Sequence, residues 1–416
     1  MHCSYTPEQL CLAELNTLIE PNDYACNGLL QLMSPAELVR LIRREDHVPG
    51  GLAAALAEVL GQGASGSRTM SLPVALTRWR KRLGFSNPLD ALDRISALNG
   101  GLLTPTDAAW PAQLDELGLG KPLCLWWRTR RPQLLAVQEA QRCISIVGSR
   151  DSSDYGHQIT YELARKLALR GFTIVSGGAY GIDASAHRAA LSAVDLEAPS
   201  YPTITILAGG ADKPYPAGNE TLLGQIIDTG LLLSEVPPGT APTRFRFLNR
   251  NRLIAAISRL TLVTEARHRS GALNTASHAV DLGRDVAAVP GSVYSPNSAG
   301  THRLLAAGTA ALVTSAADVL ELIGVPSEPT PPAPETVDVQ DARPTDGLSK
   351  PQSMIYDVMN FVQGNVPDEI SALSGIPILD TLRALSALER LGKVESNGAR
   401  WRLVRRGSVS AKNAVN

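Results

Sequence analysis

The sequence of 416 residues is poor in cysteine, and its five cysteines stand apart with no CxxC pair. That spacing excludes a disulfide framework and the common zinc sites, and it favours a reducing compartment. The first ten residues, MHCSYTPEQL, contain no basic stretch followed by an apolar one, so we expect no secretion signal. No apolar run reaches about 18 residues, so we expect no membrane span and a cytoplasmic location.

The chain also lacks an excess of charge of either sign. Its 39 Lys and Arg balance 40 Asp and Glu, and the formal net charge is −1. This balance gives the whole molecule no general attraction for nucleic acid, so any basic surface must be local. Aromatic residues make up 5% and hydrophobic residues 44% of the chain. The composition is that of a soluble globular protein with room for two or three domains.

Several sequence motifs of enzymes are missing. The chain has no GxGxxG turn with a later acidic residue, no GxxxxGK[ST] loop and no GxSxG elbow. These absences disfavour a dinucleotide cofactor, a P-loop and a serine hydrolase. No metal-ligand cluster or pair of nucleophile and base is evident either. We therefore expect a protein that is not an enzyme, with no cofactor and no metal.

The region 143–320 alternates continuous apolar strands with amphipathic helices. This pattern predicts an α/β fold with an extended Rossmann-like, doubly wound parallel sheet. Residues 96–142 read as irregular apart from one short strand in PLCLWWRTR, where Trp126 and Trp127 are expected to pack. The predicted domain spans 96–324.

The flanks of this domain read differently. Residues 1–95 carry helical spacing and predict a small all-helical module. Residues 325–349 are rich in proline and acid, which predicts a flexible linker. In 350–406, three helices and a hairpin turning at Asn397–Gly398 predict a winged helix. A disordered tail is expected over 407–416.

The segment IVSGGAYGID, residues 174–183, predicts a strand, a tight glycine turn and a helix start. Such a turn can point backbone N–H groups at an anion. The glycines could equally serve close packing of helix and strand. Asp183 is expected to cap the helix, and His187 to pair with Asp183 or to pack.

Polar residues follow every predicted strand of the central domain, and parallel strands bring such residues to one rim. The segment RFRFLNRNR adds four arginines, two of which flank Asn251 at an expected helix start near residue 249. Arginines beside glycine-turn amides predict a site for several phosphates, hence a strand of nucleic acid. The candidate residues are Gly148, Ser149, Arg150, Ser176, Gly177, Gly178, Gly181, Lys213, Asn219, Arg250, Asn251, Arg252, Ser270 and Gly271.

These motifs, taken in order, resemble the DprA/Smf proteins of bacterial natural transformation. IVGSRDSSDYG resembles the GSR segment of that family, and IVSGGAYGIDASAHRAAL its SGxAxGID…AH segment. LAGGADKPYPAGN, FLNRNRLIAAIS, EARHRSGALNTASHA and AVPGS are similar to further motifs. The likeness covers about 100 to 320, and the flanking modules resemble the helical SAM-like and winged-helix domains of many members.

The resemblance implies a dimeric protein that binds and protects single-stranded DNA and loads RecA onto it. It implies that Arg150 meets a DNA phosphate and that Gly148, Ser149 and Ser176 to Gly178 offer donors. It also implies that Arg250 and Arg252 belong to the same pocket or support it. Two positions depart from the family pattern. Ala217 stands where a lysine often follows the YP pair, with Lys213 in the same loop, and Leu248 replaces a proline.

Two other functions remain open from the residues. A nucleotide phosphoribohydrolase could use a similar fold, with Glu235 or Glu265 as its catalytic acid. A transcription regulator could act through the winged helix, but its presumed recognition helix mixes acidic and basic residues. That mixture is a poor reader of a major groove.

Overall fold

The computed structural model describes seven stretches of the chain: residues 5–63, 71–84, 87–137, 140–195, 198–326, 347–361 and 364–404. Most of the predicted linker and the whole predicted tail lie outside them. The chain divides into two compact units, Met1–Ser327 and Glu328–Asn416. Among the described helices, none has the length and apolarity that crossing a bilayer requires.

The first unit is built on a nine-stranded sheet. Its strands are β1 Gly100–Leu103, β2 Leu125–Arg128, β3 Cys143–Val147, β4 Thr173–Ser176, β5 Thr203–Leu207, β6 Leu231–Ser234, β7 Leu260–Val263, β8 Asp285–Ala288 and β9 Ala311–Leu312. Their order across the sheet is β1-β2-β6-β5-β4-β3-β7-β8-β9. Strands β3 to β9 run parallel, and the hairpin β1–β2 joins β6 in antiparallel pairing. The predicted mostly parallel α/β sheet is thus confirmed.

Helices of the central part connect successive parallel strands, except for the last one, which follows β9. They are α7 Asp154–Leu169, α8 Ile182–Ser192, α9 Glu220–Thr229, α10 Arg244–Ile257, α11 Gly271–Asp281, α12 Ala299–Ala306 and α13 Ala316–Leu322. From β3 the chain adds β4, β5 and β6 on one side, then returns to place β7 on the other. The carboxyl ends of β3 and β7 therefore flank a topological switch point, where open α/β sheets bind ligands.

Strand β1 is a difference from the sequence-based expectation of an irregular segment. It begins with two glycines, which carry no strand propensity, but all four of its residues pair with β2. A side chain at Gly100 or Gly101 would collide with β2, closer than 3.0 Å to Trp127. The expected packing role of Trp126 is confirmed, since its ring is fully buried and its indole N–H donates to Asn16 at 2.8 Å.

In the described part of the chain before the sheet, the helices are α1 Pro7–Leu18, α2 Tyr24–Leu30, α3 Pro35–Arg43, α4 Leu52–Gly63, α5 Leu72–Arg80 and α6 Pro88–Ala97. Thr6 and Ser34 cap α1 and α3 with capping boxes, each followed by proline at the helix start. Residues of α1 and α6 share a buried cluster with Trp126 and with the sheet-covering helix α9. The amino-terminal helices thus pack into the same compact unit as the sheet.

The second unit has its own small core. It contains α14 Lys350–Val358, α15 Pro367–Ser374, α16 Ile378–Arg390 and the hairpin of β10 Val394–Asn397 with β11 Arg400–Leu403. Asn397 pairs with Arg400, so the turn residues are Gly398 and Ala399, one position later than expected. Gly398 has a φ of 67°, which favours glycine there. The assignment as a winged helix stays a prediction.

Candidate functional site

A cleft of about 750 Å³ lies at the carboxyl ends of β3 and β7. Its walls come from the loop after β3, the first three turns of α10 and the start of α11. The switch point opens this space because the crossovers on its two sides leave in opposite directions. Seven predicted site residues line the cleft, namely Gly148, Ser149, Arg150, Arg250, Asn251, Ser270 and Gly271.

The charge of the cleft is strongly one-sided, although the chain as a whole is nearly neutral. Of the described residues that line the cleft, five are arginines and one, Asp183, is acidic. The exposed arginines are Arg150, Arg244, Arg267 and Arg269. Arg267 also pairs with Asp151 and donates to Asn297 at 2.8 Å, which ties its loop to the β3 loop. Such a cleft concentrates anions, above all those with several charges.

Aromatic rings form part of the same cleft. The guanidinium carbon of Arg150 lies 4.6 Å from the ring centroid of Phe247, which is a cation–π distance. The ring of Tyr215 is 6.1 Å from that of Phe247, at an interplanar angle of 58°. Because an arginine lies against a ring at the mouth of the cleft, both a phosphate and a base could be bound there.

The glycine turn supports the cleft from behind. Ser176, Gly177, Gly178 and Gly181 do not line the cleft. A Cβ on Gly177 would collide with the guanidinium of Arg250, and one on Gly181 with the carbonyl of Ser149. The Ser176 hydroxyl donates to the Ile146 carbonyl at 2.6 Å. This geometry fits the packing interpretation of the glycines, and their predicted contact with phosphate stays a prediction.

Asp183 lies in the first turn of α8 and is not its N-cap, contrary to expectation. The cap position is Gly181, whose φ of 75° only glycine adopts easily. The Asp183 carboxylate accepts from the backbone N–H of Ala179 at 3.3 Å. Burial raises the pKa of Asp183, against the opposing effect of the Arg250 and Arg150 charges. The helix start thus already holds a carboxylate of the protein itself.

His187 packs under the sheet and does not pair with Asp183. Its Nδ1 lies 2.7 Å from the Thr203 hydroxyl, and the ring is fully buried. Burial, with the nearby charges of Arg250 and Arg188, lowers the pKa of His187 to about 3. The imidazole is therefore neutral at physiological pH.

Helix α10 begins at Arg244, capped by the Thr243 hydroxyl, several residues before the expected start. The helix runs through Leu248, whose backbone N–H a proline would lack. Arg250 and Arg252 consequently lie in the helix interior, where both are buried. The expectation that they flank a helix start was wrong.

The two buried arginines of α10 have different partners. The Nη1 of Arg250 donates to the Gly177 carbonyl at 2.8 Å and to the Ile206 carbonyl. Burial lowers the pKa of Arg250 to about 10. Arg252 pairs with Glu235 and donates to the Gly120 carbonyl at 2.8 Å. Arg250 borders the cleft, whereas Arg252 lies outside its lining and holds α10 to the rest of the fold.

The loop with the YP pair contributes support and one aromatic ring. The Asn219 amide donates to the carbonyls of Gly178 and Ala179, each at 3.1 Å, and so holds the glycine turn. Lys213 is exposed but does not line the cleft. The loop thus brings Tyr215, and not Lys213, to the cleft.

Neither glutamate considered as a catalytic acid lines the cleft. Glu235 is buried in its pair with Arg252. Glu265 accepts from the Ser153 backbone N–H at 2.9 Å and from the Ser153 hydroxyl at 2.5 Å. Each carboxylate thus has a structural partner, and both are turned to protein donors.

Several residues of the cleft were not among the predicted site residues: Tyr215, Arg244, Phe247, Arg267 and Arg269. A signal for two of them was present in the sequence. Arg244, Phe247 and Arg250 are spaced by three in RFRFLNR, so a helix through this segment places them on one face. The expected late helix start concealed that spacing.

Known proteins resemble this chain over the region that forms the sheet and the cleft. The family model of DNA recombination-mediator protein A matches residues 101–324. The DNA processing protein DprA of Mycobacterium tuberculosis is 41% identical over 343 residues, which are 78% of this chain and 83% of that protein. The DNA processing protein DprA of Streptococcus pneumoniae is 42% identical over 214 residues, 51% of this chain and 71% of that one.

A solved structure agrees with the sequence comparisons. The X-ray structure of DprA from Streptococcus pneumoniae matches with a TM-score of 0.57 at 28% identity, and covers 77% of this chain and 98% of its own. The family model covers the cleft at the switch point and all of the sheet except Gly100, the first residue of β1. The chain therefore belongs to the family of DNA recombination-mediator protein A, the DprA/Smf family.

Proposed function

We propose that this protein processes DNA as a binding protein, holding single-stranded DNA in the cleft at the switch point of its sheet. The observation that carries the proposal is the cleft lining, with five arginines against one acid in a chain of net charge −1. A cleft with such a charge binds a polyanion through its phosphates.

The cleft also suits a single strand better than a duplex. Arg150 lies on the ring of Phe247, so a phosphate at Arg150 brings the attached base toward an aromatic surface. Stacking on a ring needs an unpaired base, since the bases of a duplex are stacked on one another. Arg244 and Arg269 are exposed at the same cleft and would take neighbouring phosphates.

The remaining roles follow from the family likeness. We propose that the protein acts in the cytoplasm as a homodimer through its sheet domain, that it protects incoming single strands, and that it loads RecA onto them during transformation and recombination. The motifs from IVGSR to AVPGS and the match over residues 101–324 support this proposal. We assign the carboxyl-terminal winged helix an auxiliary contact with protein or DNA.

The phosphoribohydrolase alternative has less support. Glu235 and Glu265 are both engaged by protein donors and lie outside the cleft lining. We therefore place no acid chemistry on either residue.

Fluorescence anisotropy of the full chain with labelled oligo-dT, single-stranded and duplex, over a salt series tests the proposal. We expect tighter binding of the single strand, with a slope of log K against log salt of about −0.7 for each phosphate contacted. Equal affinity for duplex, or no binding of either, would overturn the proposal. Release of base from nucleoside monophosphates would instead favour the enzyme.

A further inference from the structure

A second cleft, of about 350 Å³, lies between the amino-terminal helices and the segment that leads into α10. Its lining includes Glu20, Arg82, Thr240 and Arg246. None of the functions proposed above involves this second cleft. In this cleft, charged side chains that follow α1 and α5 meet a charged side chain of α10.

The two clefts are neighbours along the chain. Ala241 lines the second cleft, and the next two residues line the first. Within the first turn of α10, Arg244 lines the first cleft and Arg246 lines the second. The start of α10 is therefore a narrow ridge with an arginine on each side.

Phe245 lies between those two arginines and is 60% exposed. Side chains two apart on a helix point to different faces, so Phe245 occupies the face between the clefts. Exposed aromatic rings beside arginines are the usual surface on which unpaired bases stack. The ring is thus placed where a strand leaving the first cleft would cross.

The charges of the second cleft leave a net positive balance. Glu20 accepts from Arg246 at 2.7 Å and 3.0 Å and pairs with Arg82. Burial raises the pKa of Glu20, but the hydrogen bonds from the two arginines outweigh this effect and lower it. Glu20 therefore stays ionised beside two cations, and Lys81, next to Arg82 in the chain, is exposed.

We propose that single-stranded DNA leaves the first cleft over the start of α10, stacks a base on Phe245, and places a further phosphate at Arg82 in the second cleft. The amino-terminal helices then form the far part of the DNA track. Arg246 holds the wall of the second cleft through Glu20, and Arg82, with one partner and greater exposure, takes the phosphate. This inference rests on the proposed function, since it extends the same bound strand.

The experiment compares a short oligo-dT of about 6 nucleotides with one of about 20, because a short strand fills the first cleft alone. We expect Phe245→Ala to weaken binding of the long strand about fivefold or more, and to leave the short strand within twofold. Arg82→Gln should lower the salt slope for the long strand by about 0.7, the value for one phosphate.

Matched variants separate stacking and charge from a loss of folding. Phe245→Trp should keep the long-strand affinity and Phe245→Leu should lose it, because a leucine packs but offers no ring. Leu169→Ala and Arg130→Gln are the controls. Leu169 is exposed, and Arg130 is an exposed arginine with one acidic partner. Leu169 is the last residue of α7 and Arg130 follows β2, so both lie at the amino edge of the parallel strands, away from the clefts, and should change neither affinity.

The outcomes also separate this inference from the proposed function. Wild-type protein that binds neither strand overturns the proposed function. Binding of both strands with long-strand affinity unchanged in Phe245→Ala and Arg82→Gln overturns the second cleft alone. Equal losses for the short and long strands would place Phe245 in the first cleft and would also overturn this inference.

Discussion

Helix α10 carries four arginines in nine residues, and its two ends use them in opposite ways. Arg244 is exposed at the large cleft, and Arg246, two residues on, is already held by Glu20 at the small one. Arg250 and Arg252 are buried and donate to backbone carbonyls and to Glu235. The same residue type in one short motif thus serves as a surface cation at one end and as a structural tie at the other. Burial and partners, more than sequence position, decide the role.

The strongest test of this contrast between exposed and buried arginines is to remove a buried one. Arg252→Ala leaves Glu235 buried without its cation, and we expect a loss of about 3–5 kcal/mol in the free energy of unfolding. Urea unfolding measures it. Arg244→Ala, on the exposed half of the helix, is the control and should leave the midpoint unchanged. A loss below about 1 kcal/mol in Arg252→Ala would show that the pair contributes little.

A substitution in the glycine turn should cause the next largest loss of stability. Gly181→Ala places a Cβ against the Ser149 carbonyl at a φ of 75°, so we expect a loss of about 1–3 kcal/mol in stability. Affinity for single strands should fall as well, because the loop with Arg150 must move. Gly224→Ala, in the interior of α9 with open space around it, should stabilise by up to about 1 kcal/mol. Equal stability of the two variants would contradict the tight approach at Gly181.

Removing an exposed arginine should lower the affinity for DNA and leave the stability of the fold unchanged. We expect Arg150→Ala to weaken single-strand binding about tenfold or more, since hydrogen bonds to charged groups are among the stronger ones. The thermal midpoint should stay near that of the wild type. Arg150→Lys should recover part of the affinity. A folded Arg150→Ala protein that binds like the wild type would remove Arg150 from the site.

The smallest effect at neutral pH comes from a buried neutral group, and this effect grows only in acid. The pKa of His187 is lowered to about 3 in the folded protein, below its ordinary value of 6.5. Between these values the unfolded chain binds the extra proton, so stability should be present above about pH 6.5 and fall with acid by up to about 1.4 kcal/mol per pH unit. His187→Asn should flatten this dependence in urea unfolding between about pH 5 and 7. If the free energy of unfolding of His187→Asn depended on pH as steeply as that of the wild type, another group would control the pH dependence.

Much of the sheet could be predicted because each parallel strand is a continuous apolar run bounded by glycine or by polar residues. Strand β1 could not, because Gly100 and Gly101 have no strand propensity and form a strand only through pairing with β2. Its partner residues lie more than 20 positions along the chain. Such pairing is a tertiary effect that local patterns do not contain.

Some features of the candidate site could likewise be predicted from the sequence, and others could not. Arg150 and the start of α11 could be predicted as parts of the cleft, since they follow strands that end at one edge. The contact of Arg150 with Phe247 could not, because those residues are distant in sequence and meet only once α10 crosses the switch point. Glu235 could be a catalytic acid from sequence alone. Its burial against Arg252 is visible only in the folded chain.

The polar contacts that join the amino-terminal helices to the sheet domain bear on how the chain can be shortened. Asn16 accepts from the Trp126 indole and donates to the Glu235 carbonyl, Asn27 donates to the carbonyls of Leu119 and Lys121, and Glu20 holds Arg246. A fragment starting near residue 96 would lose all of these partners at once. Its weakness in any assay would report a damaged sheet domain as much as a missing module. Point substitutions in the amino-terminal helices, rather than their deletion, are the means of assigning them a role.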